Sequence, residues 1–140
     1  MSEHIRLKRG LDIPIAGEAS MQITKTVSAD VIAVKPTDFR ALVPQLVVKE
    51  GDRVLAGQPL FVDKKRPQVK FCSPCSGTVE AVVRGDKRKL LQVRVKADQK
   101  SEYLQHQPVK LAPQTRAEAI SILLERGLWP MIMQRPYGII

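Results

Sequence analysis

Apolar positions along residues 47–95 recur at the short, turn-punctuated spacing of β-strands rather than at the spacing of a helix. In Val48-Lys49-Glu50-Gly51-Asp52-Arg53-Val54-Leu55-Ala56-Gly57-Gln58-Pro59-Leu60, the apolar Val48, Val54 and Leu60 are separated by the turn-forming pairs Gly51-Asp52 and Ala56-Gly57. Phe71-Cys72-Ser73-Pro74-Cys75 then leads to Ser76-Gly77 and the alternating run Thr78-Val79-Glu80-Ala81-Val82-Val83, and Leu90-Leu91-Gln92-Val93-Arg94-Val95 reads as a closing strand. The pattern predicts short strands joined by tight turns. Gly51-Asp52 and Gly85-Asp86 lie about 34 residues apart, which suggests two similar halves related by a pseudo-two-fold axis.

The flanks are patterned differently. Residues 5–15 alternate apolar and polar positions and break at Gly10, Pro14 and Gly17, predicting a short strand and a structured loop. Ile23, Val27, Val31, Ala33 and Val34 predict one or two strands interrupted near Ser28-Ala29-Asp30, with Lys35-Pro36-Thr37-Asp38 as a turn. From Ala97 to Gln114 the chain becomes polar and proline-containing, as a surface connector does. Thr115-Arg116-Ala117-Glu118 is a capping box, Ala119, Ile120, Leu123 and Leu124 make an apolar stripe, and Gly127 is placed to end the helix in a left-handed conformation. A helix over 115–127 follows. The expected organisation is residues 1–42 as strands and loops packing on a core of residues 43–97, with 98–140 supplying the connector, the helix and the start of a further region. A terminus on Ile139-Ile140 leads us to expect a fragment of a longer chain whose remainder covers these side chains.

Composition sharpens the class. Of 140 residues 44% are hydrophobic but only 4% aromatic, so a core of Val, Leu and Ile in small sheets is expected, and ten prolines favour short elements. The net charge is +9, with basic clusters at Lys64-Lys65-Arg66 with Lys70 and at Arg84 with Lys87-Arg88-Lys89. Both fall at expected turns. Such charge favours acidic partners, but only Phe71 lies near either cluster to stack a base, so nucleic acid is not an expected partner. No apolar run reaches the roughly 18 residues of a membrane span, and Met1-Ser2-Glu3-His4-Ile5-Arg6-Leu7-Lys8-Arg9 lacks the apolar stretch of a secretory signal. The expectation is a chain that neither spans a membrane nor is exported.

Cys72-Ser73-Pro74-Cys75 has the spacing of a dithiol pair or half a zinc site. A reactive pair gains a lowered thiol pKa by opening a helix, whereas Pro74 and Ser76-Gly77 punctuate strands. Structural zinc wants four ligands, and His4 and His106 are the only further candidates of that kind. No metal is expected. The glycines are too widely spaced for a dinucleotide loop, and no catalytic residues are assigned.

The order of elements from Gly51-Asp52 through Gly57-Gln58-Pro59-Leu60 to Ser73-Pro74-Cys75-Ser76-Gly77-Thr78-Val79 resembles the biotinyl/lipoyl carrier fold, a barrel-sandwich hybrid. That resemblance implies a mainly β fold, here flanked by N-terminal strands and a C-terminal helix. The carriers' modified lysine stands eight residues before the proline, which in this chain is Arg66, between Lys65 and Pro67. A guanidinium stays protonated and is a poor nucleophile, and Lys65 is one residue off. A carrier-like fold without a covalent cofactor is expected.

Leu7-Lys8-Arg9-Gly10-Leu11-Asp12-Ile13-Pro14-Ile15-Ala16-Gly17, Asp63-Lys64-Lys65-Arg66-Pro67, and Gly127-Leu128-Trp129 with Arg135-Pro136-Tyr137 together resemble the N-terminal part of the NqrA family, one of the subunit families of sodium-translocating NADH:quinone reductases. The resemblance implies a subunit peripheral to the cytoplasmic face of the bacterial inner membrane, partnered by the other subunits. NAD, the flavins and the iron-sulfur centre would lie in those subunits, and ubiquinone would be the substrate of the complex. The centre is shared with covalent biotin or lipoate carriers and with RnfC-type subunits of ferredoxin:NAD reductases, which stand as alternatives. If the chain touches quinone, Trp129 and Met133 supply walls, and Arg135 or the Tyr137 hydroxyl the donor, because a quinone needs an apolar slot and a hydrogen bond to its carbonyl. The competing reading is that these residues pack the helix against further chain.

Overall fold

The computed structural model describes residues 16–18, 20–25, 28–109 and 115–140. Among these residues seven strands run in order: β1 Val31–Val34, β2 Pro44–Leu46, β3 Arg53–Val54, β4 Pro59–Asp63, β5 Arg66–Cys72, β6 Gly77–Arg84 and β7 Leu90–Ala97. They form two antiparallel sheets, a four-stranded one ordered β1-β7-β6-β3 and a three-stranded one ordered β2-β4-β5. One helix, α1 Arg116–Glu125, follows. The expected mainly β barrel-sandwich hybrid with a C-terminal helix is the fold observed.

Both sheets contribute to one core. Val54, Val79, Leu90, Val93 and Val95 from the larger sheet meet Leu60, Phe61, Val69 and Phe71 from the smaller one. Valine dominates, as branched side chains suit a pleated surface. Phe61 and Phe71 stack with centroids 4.9 Å apart, and Phe39 meets Phe71 edge-on at 4.6 Å. Strand β4, flanked by β2 and β5, is buried from Leu60 through Asp63, which is why its sequence is apolar without alternation.

The loop after β2 extends the edge of β6. Gly51 N–H donates to Val79 O, Val79 N–H donates to Asp52 O, and the Glu50 carboxylate accepts from Val82 N–H at 2.7 Å. The Asp52 carboxylate accepts from Lys49 N–H at 2.7 Å and closes the turn.

The expected repeat of two similar turns is corrected. The two Gly-Asp turns differ: Gly51 has φ +88°, but Gly85 has φ −102°, and in the second turn Lys87 and Arg88 adopt φ +53° and +61° instead. The spacing of about 34 residues is therefore not matched by equivalent backbone. Of the one or two strands expected over 23–34, the described residues hold β1, while Ile23 is exposed. The described part of the expected surface connector, 98–109, is strapped to the sandwich, where Ala56 N–H donates to Glu102 O and Leu104 N–H donates to Ala56 O, each at 2.9 Å. The strand expected within 5–15 lies outside the described residues.

Candidate functional site

The chain after α1 folds back over the end of β5. Thr115 caps the helix, its hydroxyl accepting from Glu118 N–H while the Glu118 carboxylate accepts from Thr115 N–H at 2.8 Å. Ile120, Leu123 and Leu124 are half-buried and Ala119 is exposed, so the stripe is narrower than expected; Leu124 reaches the core. Gly127 ends the helical segment at φ +68° and is buried against Cys72, where an added Cβ would collide with the sulfur. Lys70 Nζ donates to Glu125 O at 3.1 Å and ties the last turn to β5.

Beyond Gly127, a 3-10 turn at Trp129–Met131 buries Pro130 and packs Trp129 on the core. The backbone then closes a loop in which Gln134 N–H donates to Ile139 O at 2.7 Å. Met133, Arg135 and Tyr137 are exposed on this loop, Tyr137 at 60%, and the Tyr137 carbonyl accepts from Arg40 Nη1 at 3.3 Å. The four residues expected to make a quinone slot thus share one arm but do not converge: Trp129 is committed to the core, and the other three face outward.

A cavity of about 260 Å³ opens beside them, with Phe39, Phe71, Cys72, Leu128, Pro130 and Met131 among its walls and Lys70 and Arg126 at its rim. Leu128 and Met131 are sequence neighbours of Trp129 and Met133, the expected walls. Phe71 and Cys72 arrive from a distant strand, and nothing local in the sequence announces that meeting. A second hollow, of about 390 Å³, shares Gly57, Ser73, Pro74, Arg126 and Leu128 with the first and reaches Tyr103 and His106 on the strap.

Cys72 is half-buried and Cys75 buried, and both are free thiols. Burial pushes the Cys72 thiol up against the opposing pull of Lys70, and burial likewise raises Cys75 against a hydrogen bond from Ser73. A reactive dithiol needs the opposite shift. Among the described residues, no three His, Cys, Asp or Glu side chains gather as metal ligands.

The carrier-like hairpin is the β4–β5 pair. Lys64 and Lys65 occupy the turn between β4 and β5, and Arg66, expected to stand at the carrier position, is the first residue of β5. Two register shifts interrupt the β4–β5 pair, between Pro59 and Phe61 and between Val62 and Asp63.

Residues 5–98 match the family model described as the NqrA N-terminal barrel-sandwich hybrid domain. The chain is similar to the NqrA protein of the Na(+)-translocating NADH-quinone reductase of Marinomonas sp. (strain MWYL1), with 34% identity over 95% of this chain and 30% of the relative. It is 36% identical to the proteins of the same name from Pseudomonas aeruginosa and Hahella chejuensis, over 96% of this chain and 31% and 30% of those proteins. The chain therefore spans about 30% of the length of these curated relatives.

Proposed function

The chain belongs to the family of NqrA N-terminal barrel-sandwich hybrid domains, and on that premise we propose that it works as part of the NqrA component of a sodium-translocating NADH:quinone reductase. The observation that supports this most is the family match over residues 5–98, joined to 34–36% identity across nearly the whole chain. In this reading the domain is a structural and quinone-handling element at the cytoplasmic face of the complex. No helix among the described residues is long and apolar enough to cross a membrane, so its attachment is peripheral. NADH, flavin and iron-sulfur chemistry are assigned to the other subunits, and sodium passage to membrane-embedded polar groups. The division into residues 1–42, 43–97 and 98–140 is retained as part of this proposal.

The quinone contact is placed at the cavity beside the α1 C-terminus rather than on Met133, Arg135 and Tyr137. Phe71, Leu128 and Met131 supply apolar walls for a headgroup, and Lys70 and Arg126 are the nearby donors for a carbonyl oxygen. Met133, Arg135 and Tyr137 then serve the packing of this arm against the rest of NqrA.

The role is tested in membranes of a strain deleted for this chain. Sodium-stimulated NADH oxidation should disappear and return on complementation; its persistence would sink the assignment to the reductase. For quinone, the complete NqrA protein carrying Arg135→Ala with Tyr137→Phe should lose assembly with little change in quinone affinity, and Met131→Glu should do the reverse. A fall in affinity from the first variant alone would return the contact to the loop.

A further inference from the structure

The two basic turns of the sandwich lie at the same end. The β4–β5 turn is bound to the preceding loop by Lys64 N–H donating to Val43 O at 2.8 Å. The next residue, Pro44, pairs with Asp63 and also lines a cavity of about 240 Å³ that is lined as well by Lys89, from the β6–β7 turn, and Leu90, the first residue of β7. Lys64, Lys65, Lys87, Arg88 and Lys89 are all exposed, and among the described residues none of their side chains has an ion-pair partner. The acids nearby are outnumbered: Asp63 is buried and engaged with Arg66, Asp38 and Asp86 are exposed, and the exposed Glu50 carboxylate accepts from Val82 N–H.

Both tips are built to point outward. Asp63 holds the first by accepting from Lys65 N–H at 3.1 Å and Arg66 Nε at 3.2 Å. In the second, Lys87 and Arg88 take left-handed backbone, and Gly85 N–H donates to Lys89 O at 2.8 Å. At the opposite end, near Gly77 and Ala97, Arg53 is instead paired with Asp98 and Glu102 at 3.2 Å each. Five exposed lysines and arginines without an ion-pair partner among the described residues thus stand on these two turns.

We propose that this end of the sandwich docks on an anionic phospholipid surface, with Lys64 and Lys65 on one turn and Lys87 and Lys89 on the other meeting the headgroup phosphates. A protein partner is the poorer fit, because stable protein interfaces are anchored by buried aromatic and apolar residues. Between the turns the exposed large apolar side chain is Val43, at 39%, while Phe39 is half-buried against Phe71. Nucleic acid would want aromatic platforms for its bases. Lysines on flexible stems act as point charges and suit a diffuse layer of phosphates. This contact goes beyond the assignment to the reductase and stands without it.

The test is sedimentation of the 140-residue chain with vesicles. Phosphatidylcholine vesicles holding about one third phosphatidylglycerol should bind it, pure phosphatidylcholine should not, and binding should weaken as salt shortens the screening length. Each lysine is expected to contribute about fivefold, so K64Q with K65Q, or K87N with K89Q, should each weaken binding about 25-fold. Asn is used at 87 because it tolerates left-handed backbone. K96Q with K100Q removes the same charge far from the turns and should change binding less than threefold or so. Failure of the native chain to bind anionic vesicles overturns the proposal, as does an equal loss from the 96/100 pair. Tighter capture by a short oligonucleotide or by polyglutamate would reassign the end to nucleic acid or to an acidic protein. None of these outcomes depends on reductase activity, so the deletion-strain experiment can fail or succeed independently.

Discussion

Asp63 is the residue on which the β4–β5 turn depends. It is 1% exposed, and its carboxylate satisfies both the Lys65 amide and the Arg66 guanidinium. Asp63→Ala leaves those donors without their acceptor and should cost about 1–3 kcal/mol in urea unfolding, with Asp63→Asn recovering part because an amide oxygen still accepts from Lys65 N–H. An equal loss from both would mean that the charge, not the turn hydrogen bond, is what matters. That Asp63 opens a turn is legible from the Asp-Lys-Lys sequence; that Arg66 is strand and Lys65 is tip is not, because bulges change the pairing without changing the residue count. The cysteines make a pH prediction at the same scale. Burial raises both thiols in the folded state, so the native protein holds their protons to higher pH than the unfolded chain does. The associated stability is fully present below the unfolded thiol value and is lost as pH rises through the folded values. Between about pH 8 and about pH 10 the urea midpoint should therefore fall further for the native chain than for Cys72→Ala with Cys75→Ala. Parallel curves would show that the buried thiols do not set the alkaline limit.

At the level of elements, α1 is the clearest case of a local signal that survives folding. Its 10 residues are too few to hold a helix alone, so the cap and the contact of Leu124 with the core must act together. Thr115→Ala should lower stability by about 1 kcal/mol. Glu118 is held below its ordinary pKa, first by the Thr115 amide and then by the Thr115 hydroxyl. A depressed folded value means that its contribution is present above the unfolded pKa and disappears as pH falls through the folded one. Comparing native chain with Glu118→Gln by thermal melting at about pH 6 and about pH 3 should reveal a gap only at the higher pH; a gap of the same size at both would rule out the carboxylate as its source. The strands are unevenly legible for an equally physical reason. Turns such as Ala56-Gly57, where Gln58 N–H donates to Leu55 O, are written in a few adjacent residues. Ile23 belongs to the pattern read as strand, but among the described residues strand β1 forms only where β7 offers a partner, over Val31–Val34.

Across the whole molecule, the sandwich and the arm after it have different kinds of support. The sandwich is closed by a core shared between both sheets, whereas the arm rests on β5 through Leu124, Gly127, Trp129 and Pro130. The quinone cavity proposed above exists only while that arm is seated, since Arg126, Gly127, Leu128, Pro130 and Met131 supply part of its lining and residues 70–74, with Val34, Phe39 and Gly57, the rest. This explains why the site is the least legible part of the sequence: its halves are more than fifty residues apart, and no periodicity reports their meeting. It also yields a means of watching the arm. Gly127 covers Cys72, while Cys75 is buried in the loop leading to β6. Lifting the arm should bare the first thiol and not the second. Leu124→Asp, which places a charge on the helix face turned to the core, is expected to accelerate alkylation of Cys72 about tenfold or more while Cys75 stays slow, because local opening has a lower free energy than unfolding of the sheets. Peptide mass spectrometry after timed exposure to iodoacetamide distinguishes the two sites. Acceleration of both together would show that arm and sandwich open as one cooperative unit, so that the cavity cannot be exposed without disrupting the core.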